Sequence, residues 1–409
     1  MLVPKLRFKE FNDEWNYKLF NEIFEFIQNN SFSRDMLNYS ENSKIYNIHY
    51  GDILTKYGEI IDFNLISNIV PKINNDISLS KFEDKSYLKN GDIIIADTAE
   101  DLTVGKSCEV VNLHCKALAG LHTIPCRPKF KFATQYLGEY INSTSYHSQL
   151  IPYITGIKVS SISKNNIIKT KIYFPTIKEQ EKISELFSLL NKKIELQQRK
   201  IEVLKMYKKG LSDNIYASLK EKIIELNNYA IVQGGFAFKS ELFQKKGKPI
   251  VRISNIYNNL VDLNDLVYYD SALEIDKKFY VNDSDLLIAM SGATTGKYGI
   301  YHNTYPAYLN QRVGKIICKK DTILYYPYLY FLFGLTAYEK QLQSRLIAGA
   351  QPNISPADIE NMKFKFPNIN TQKKIADMII NITKKISIEN KKLDNLNILK
   401  QSLLQQMFI

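Results

Sequence analysis

The chain has 409 residues, enough for about two to three domains and more than one sizeable core. Apolar residues make up 45% and charged residues 23%, which sets aside a mostly disordered chain, and no run approaches the roughly 18 uncharged apolar residues of a membrane-spanning helix. The 54 Lys and Arg against 42 Asp and Glu leave a net charge of +12, which favours a polyanionic partner: nucleic acid, an anionic membrane face or an acidic protein.

The first residues, MLVPKLRFKEFNDEW, lack an apolar h-region, so no secretory signal is expected. Cys108, Cys115, Cys126 and Cys318 show neither zinc-ligand spacing nor a CxxC pair, and scattered thiols fit a reducing cytoplasm. Along the chain, short β-branched and aromatic runs at 45–48, 92–96, 168–174, 250–253, 285–289 and 315–318 predict strands. Residues 132–143 and 326–344 predict helices. Strands followed by helices in each half indicate α+β domains, not alternating βαβ units.

After strands 92–96 and 285–289 come two polar loops that end in Gly-Lys, at Gly105-Lys106 and Gly296-Lys297. Both approach the P-loop pattern and neither satisfies it. Glu100 stands where the first glycine belongs in one, and in the other three residues separate the glycines and Tyr298 follows the lysine. NTP binding is therefore not expected, but such turns can offer N–H groups and an ammonium to a DNA phosphate. The histidines make no metal pair, and no G-x-S-x-G elbow, G-x-G-x-x-G loop or Asn-Pro-Pro-aromatic tetrapeptide is present. No catalytic or metal-binding residue and no bound cofactor is expected.

The segments after Phe174-Pro175 and Phe366-Pro367 predict long helices. Their apolar residues keep a heptad: Ile183, Phe187, Leu190, Ile194, Ile201, Leu204 and Leu211 in the first, and Ile375, Ile379, Ile382, Ile386, Leu393, Leu396 and Leu403 in the second. Each helix would be roughly 60 Å long at ~1.5 Å per residue. Both seams break at matching places, Gln197 with Glu389 and Lys208 with Lys400. Matched breaks and the need to bury so long a stripe predict that the two helices pair antiparallel within one chain.

The chain also aligns with itself at an offset of 192 residues. KIYFPTI at 171–177 matches KFKFPNI at 363–369, and from Phe174 onward 13 of 44 positions are identical, Gln180 with Gln372 among them. A period this long means duplicated domains and not a solenoid. The expected organisation is a first globular part, 1–176 (1–17 a leading arm), a helix at 177–217, a second globular part, 218–368, and a helix at 369–409. Arg252, Asn255, Asn310, Gln311 and Arg312 carry side chains of the kind that read guanine and adenine edges. Lys56, Thr103, Lys106, His122, Lys158, Ser291, Thr294, Thr295, Lys297 and Gln351 are further loop or basic positions suited to DNA contact.

These features together resemble the specificity (S) subunit of type I restriction–modification systems. The opening VPKLRFKEF, the Asp-[Ile/Leu]-[Ile/Leu]-Ile-Ala strand before each Gly-Lys loop, and the Phe-Pro…Gln…Ile helix start, present twice, carry the resemblance over essentially the whole chain. It implies two α+β target recognition domains joined by two long antiparallel helices, an intramolecular coiled coil with an internal pseudo-two-fold duplication. It implies a non-catalytic, cytoplasmic, bacterial subunit that reads a split target in double-stranded DNA, the helices setting the spacing and docking two methyltransferase (M) subunits. Restriction (R) subunits would join them, and S-adenosylmethionine, ATP and Mg would sit on those partners. No membrane partner is implied. Two other readings compete: a stand-alone coiled-coil DNA-binding regulator that dimerises between chains, and an enzyme with a concealed site. The mass of the isolated chain and its binding of nucleotide or S-adenosylmethionine discriminate among them.

Overall fold

The computed structural model describes residues 2–40, 42–156, 158–257, 259–270, 275–346 and 352–409. Two long helices dominate the second parts of each half, Ile177–Ser218 (α1) and Ile369–Met407 (α2). The chain divides into two compact units, Met1–Gln198 with Lys391–Ile409, and Arg199–Asn390, so the division runs through both helices.

In the first unit, strand Asn16–Leu19 pairs antiparallel with Lys171–Phe174. A five-stranded sheet follows the order Phe24–Phe26, Thr123–Pro128, Ile93–Ala96, Ser107–Val111, Ile60–Asp62. A four-stranded sheet follows the order Ala117–Ala119, Tyr46–Ile48, Lys72–Ile73, Leu37–Asn38, its first pair parallel. The second unit repeats the scheme. Ile223–Glu225 pairs with Lys363–Lys365, and the larger sheet runs Ala230–Gly234, Val313–Cys318, Leu286–Ala289, Tyr298–Ile300, Asn259–Val261, Ile256–Tyr257. Its smaller sheet again holds a parallel pair, Lys248–Val251 with Ala307–Leu309. Register is kept as well: Thr123 faces Ala96 in one unit and Val313 faces Ala289 in the other. The central strands IIIA and LLIA are wholly buried, the reason they read as continuous apolar runs and not as an alternation.

Some boundaries differ from expectation. The strand predicted at 168–174 begins only at Lys171, because Lys164–Ile167 forms a helical turn first. The helix predicted at 132–143 is two short ones, Tyr136–Ile141 and Thr144–Leu150, the second capped by the Ser143 hydroxyl accepting from the Tyr146 N–H. The one predicted at 326–344 divides into Tyr328–Phe333 and Thr336–Leu346, and there the Asp213 carboxylate accepts from the Thr336 N–H at 2.9 Å and from its hydroxyl at 2.6 Å. A helix-to-helix cap of this kind leaves no mark in local periodicity.

The duplicated Phe-Pro…Gln motif has a mechanical role. Gln180 is buried and its amide donates to the Pro175 carbonyl at 2.9 Å while its oxygen accepts from the Ala133 N–H at 3.0 Å. Gln372 does the same with the Pro367 carbonyl, at 2.7 Å, and the Tyr325 N–H, at 2.9 Å. Each glutamine thus ties the first turn of its helix to the domain that the helix leaves. The arm before Asn16 adds a second tie in the first unit, where Arg7 grips the buried Glu179 carboxylate with two donors at 2.7 and 2.8 Å.

Within each unit the two helices run antiparallel. In the first, the Phe187 and Phe408 rings stack at 5.8 Å and join Ile183, Leu404 and Met407 in one core with Trp15, Tyr136 and Tyr140. In the second, Lys200 meets Glu389 at 3.0 Å, while Ile215 and Tyr216 pack on the core that contains Ile375 and Ile379. Ile183, Phe187, Leu190, Ile201, Ile375, Ile379 and Ile386 are buried, and Ile194, Leu204, Leu211, Ile382, Leu393, Leu396 and Leu403 are half-buried. Near the helix ends the buried position moves on by one residue, to Ser212 and Leu404. An α-helix drifts against a strict seven-residue repeat, and here the last turns pack on sheet domains instead of on a supercoil. Among the described residues no helix is long and apolar enough to cross a membrane.

Candidate nucleic-acid interface

In each unit the parallel strand pair of the smaller sheet ends in loops that lie beside one another. In the first unit, Tyr46–Ile48 leads into His49 and the helix Tyr50–Thr55, and Ala117–Ala119 leads into residues 120–122. The Tyr50 ring lies 4.7 Å from the His49 ring, tilted by 36°, and 5.2 Å from that of His122, to which it stands edge-on. His122 is exposed, takes a left-handed backbone (φ 54°), and sets Nδ1 3.3 Å from the Asp97 carboxylate. In the second unit, Lys248–Val251 leads into Arg252 and the turn Ile253–Asn255, and Ala307–Leu309 leads into Asn310, Gln311 and Arg312. Strand register makes His49 and Arg252 counterparts, and likewise His122 and Arg312.

The first unit's loops are built on a buried carboxylate. Asp52, wholly buried, accepts from Arg34 through Nη1 at 2.8 Å and Nη2 at 2.7 Å, and pairs with Lys56 at 2.9 Å. Burial raises its pKa, but the two cations outweigh burial and hold it below the usual carboxylate range. Two cations on one carboxylate leave the cluster with a net positive charge at the surface. Burial and Arg34 push His49 down to about 4, so its ring is neutral at pH 7, with Nδ1 accepting from the Gly51 N–H at 3.2 Å. Lys56 also donates to the Tyr39 hydroxyl at 3.2 Å.

The remaining residues singled out in the sequence fall into three groups. Exposed at loop positions are Thr103, Lys158, Lys297, Gln311 and Arg312, with the Lys297 ammonium 5.2 Å from the exposed Tyr257 ring. Half-buried and joined into one loop system are Arg252, Ser291, Thr294 and Thr295. Thr294 donates to the Ile253 carbonyl at 3.0 Å, Ser291 bridges Asn353, and the Thr295 hydroxyl donates to Pro352. Turned inward are Lys106, whose ammonium donates to the Leu54 and Tyr57 carbonyls at 3.2 and 2.9 Å, and Asn255, whose amide donates to the Asp265 carbonyl at 2.9 Å. These two hold loops together. Gln351 lies outside the described residues.

The Gly-Lys turns owe their glycines to packing. Gly105 and Gly296 both take positive φ, 91° and 78°, and a Cβ would come within 2.6 Å of the Leu150 side chain in one and 2.1 Å of the Leu342 side chain in the other. That accounts for a motif resembling a phosphate loop without calling on phosphate. Among the described residues no group of three His, Cys, Asp or Glu side chains is placed to hold a metal ion.

Outside the seam, each unit exposes apolar residues on its helices. They include Leu189, Leu196, Ile398 and Leu399 in the first unit, and Val203, Met206, Tyr207 and Ile388 in the second. Leu196 with Ile388, Met206 with Ile398, and Tyr207 with Leu399 are repeat partners at the 192-residue offset. That duplication was the signal available in the sequence for this outer face. For Arg34 and Asp52 no signal existed, since only the fold brings residues 34 and 52 together.

The type I restriction modification DNA specificity domain matches residues 12–206 and again residues 221–397. The chain belongs to the family of type I restriction–modification specificity subunits. The type I restriction enzyme MjaVIII specificity subunit of Methanocaldococcus jannaschii is 24% identical over 61% of this chain and 64% of its own length. The putative MjaX specificity subunit of the same organism is 23% identical over 98% of this chain and 94% of its own. This chain thus spans somewhat under two thirds of the MjaVIII subunit and nearly all of the MjaX subunit. Among solved structures, the S subunit of a type I restriction–modification system from M. genitalium superposes with a TM-score of 0.56 at 14% identity, covering 100% of this chain and 99% of that one. A chain from a study of complex assembly and conformational transition of the type I R-M system gives 0.59 at 14%, covering 96% and 97%. At that identity the likeness concerns the specificity-subunit fold.

Proposed function

We propose that this specificity subunit recognises a bipartite target in double-stranded DNA for a type I restriction–modification complex and carries out no reaction itself. Residues 1–176 and 218–368 act as target recognition domains, each reading one half-site. Residues 177–217 and 369–409 set the unread gap and dock two methyltransferase subunits, with restriction subunits joining that core. S-adenosylmethionine, ATP and Mg belong to those partners, and the complex works in the cytoplasm on the DNA itself.

One observation supports this reading: the order of five strands in the larger sheet and the parallel pair in the smaller sheet recur in both units, and in each the loops after that pair carry basic and polar side chains. Base edges supply sequence and phosphates supply orientation, so loops mixing Arg, Gln and His with Lys suit both tasks. The outward apolar residues that recur on α1 and α2 support a partner that binds twice. A regulator dimerising through its coil would need an open seam, whereas Ile183 and Phe187 are buried in the core of the first unit and Ile375 and Ile379 in that of the second.

The test is single-molecule sequencing of N6-methyladenine in cells with and without this gene, its methyltransferase partner being present. A split motif with a fixed gap, methylated only with the gene, is the expected result. Identical methylation in both strains refutes the proposal.

A further inference from the structure

We propose that Arg34 reads a guanine in the half-site bound by the first unit, its guanidinium aimed by Asp52. The inference rests on the recognition role above and adds to it a specificity-determining residue and the base it takes.

Three arginines lie in residues 1–176. Arg7 is spent on Glu179, with a side chain 13% exposed, and Arg127 on Asp92 and the Tyr87 carbonyl, with a side chain 16% exposed. Arg34 differs, with 46% of its side chain open to solvent. It sits in the turn Arg34–Met36, beside Lys56 and next to the loop that carries His49 and Tyr50.

The geometry of its pairing decides what remains available. Asp52 takes one N–H from each terminal nitrogen, Nη1 and Nη2. A guanidinium has five N–H groups in a fixed fork, so this end-on pairing leaves the Nε–H and the second Nη2–H side by side. Among the described residues neither has an acceptor. Two parallel donors of that spacing match the O6 and N7 acceptors of guanine in the major groove. A mobile arginine would lose side-chain entropy on binding, whereas this one is already held by a buried carboxylate. Lys56, which shares the Asp52 Oδ1 with Arg34 Nη2, keeps the cluster cationic and so attractive to the duplex.

The experiment uses the full chain co-expressed with its methyltransferase partner, with methylated motifs read by single-molecule sequencing. Arg34→Lys keeps the charge and loses the fork, and Asp52 keeps Lys56 as its counter-ion, so folding is not at stake. The wild-type motif is expected to fix a guanine at one position of one half-site. In Arg34→Lys the preference for that guanine is expected to fall about 5- to 150-fold, with the other half-site and the gap unchanged. Asp52→Asn, which frees Arg34 to swing, is expected to relax the same position. An Arg34→Lys motif identical to wild type overturns the inference. So does weaker methylation at all sites with an unchanged motif, the mark of a phosphate contact. A wild-type chain with no split motif would instead sink the recognition role, and this assignment with it.

Discussion

Replacing Lys400 with methionine should unsettle the first unit in a way that depends on pH. Lys400 occupies a seam position of α2, yet its ammonium lies 2.6 Å from Glu59 and 3.8 Å from Glu139, and its side chain is only 10% exposed. At an effective dielectric of about 20 these separations correspond to attractions of about 6 and about 4 kcal/mol, before the cost of burying the ammonium is subtracted. What a variant loses is smaller: removing one partner of a buried ion pair costs about 3–5 kcal/mol, largely because the remaining charge is left alone. Burial pushes Glu139 up to about 7 despite Lys400, and one of its oxygens has no hydrogen-bond donor, while Asn191 donates to the other at 2.7 Å. Burial likewise pushes Glu109 up to about 7, against the pull of the Gln135 and Gly138 N–H groups.

A carboxyl whose folded pKa lies above its unfolded value adds stability that is complete at low pH and is lost as pH rises through about 7. At pH 6 Glu139 is already largely protonated, so losing Lys400 strands Glu59 alone, whereas at pH 8 both carboxylates lose the cation that favours their ionised forms. Lys400→Met is therefore expected to lower stability by about 3–5 kcal/mol at pH 8 and by clearly less at pH 6. Trp15 is the only tryptophan and is buried against Phe408 in the same unit, so its fluorescence follows this unit through a urea titration. An unchanged Trp15 transition at pH 8, or an equal loss at both pH values, would refute the electrostatic argument.

Three further outcomes are expected. Phe408→Ala removes a ring packed on Trp15, Tyr136, Tyr140 and Phe187, and should cost about 3–5 kcal/mol with a red shift of Trp15 emission in the same titration. Gln372→Leu leaves the Tyr325 N–H and the Pro367 carbonyl without their buried partner, so the second unit should lose roughly 1–3 kcal/mol, read by circular dichroism, while the Trp15 transition stays in place. Matching insertions of about four residues, one helical turn, at Gln198–Arg199 and Asn390–Lys391 should widen the unread gap of the methylated motif and leave both half-sites intact. An unchanged gap would count against helices that measure the spacing.

Local patterning carries much of this protein. The 192-residue duplication announced two copies of one α+β unit, and the heptads at Ile183–Leu211 and Ile375–Leu403 announced two helices that bury a stripe, because a periodic apolar face is written in consecutive residues. The Phe-Pro…Gln repeat was legible as a pattern, but its use was not, since Gln180 and Gln372 act on Ala133 and Tyr325, far away in the chain. Tertiary structure alone decided where each polar group ends. It turned Lys106 inward to two carbonyls, sent Lys400 to Glu59 and Glu139 instead of across the helix seam, and set Asp52 beneath Arg34 and Lys56. Hydrophobic periodicity is a property of neighbours in sequence, whereas a charge or a hydrogen-bond donor is committed by whichever partner the fold brings within about 3 Å.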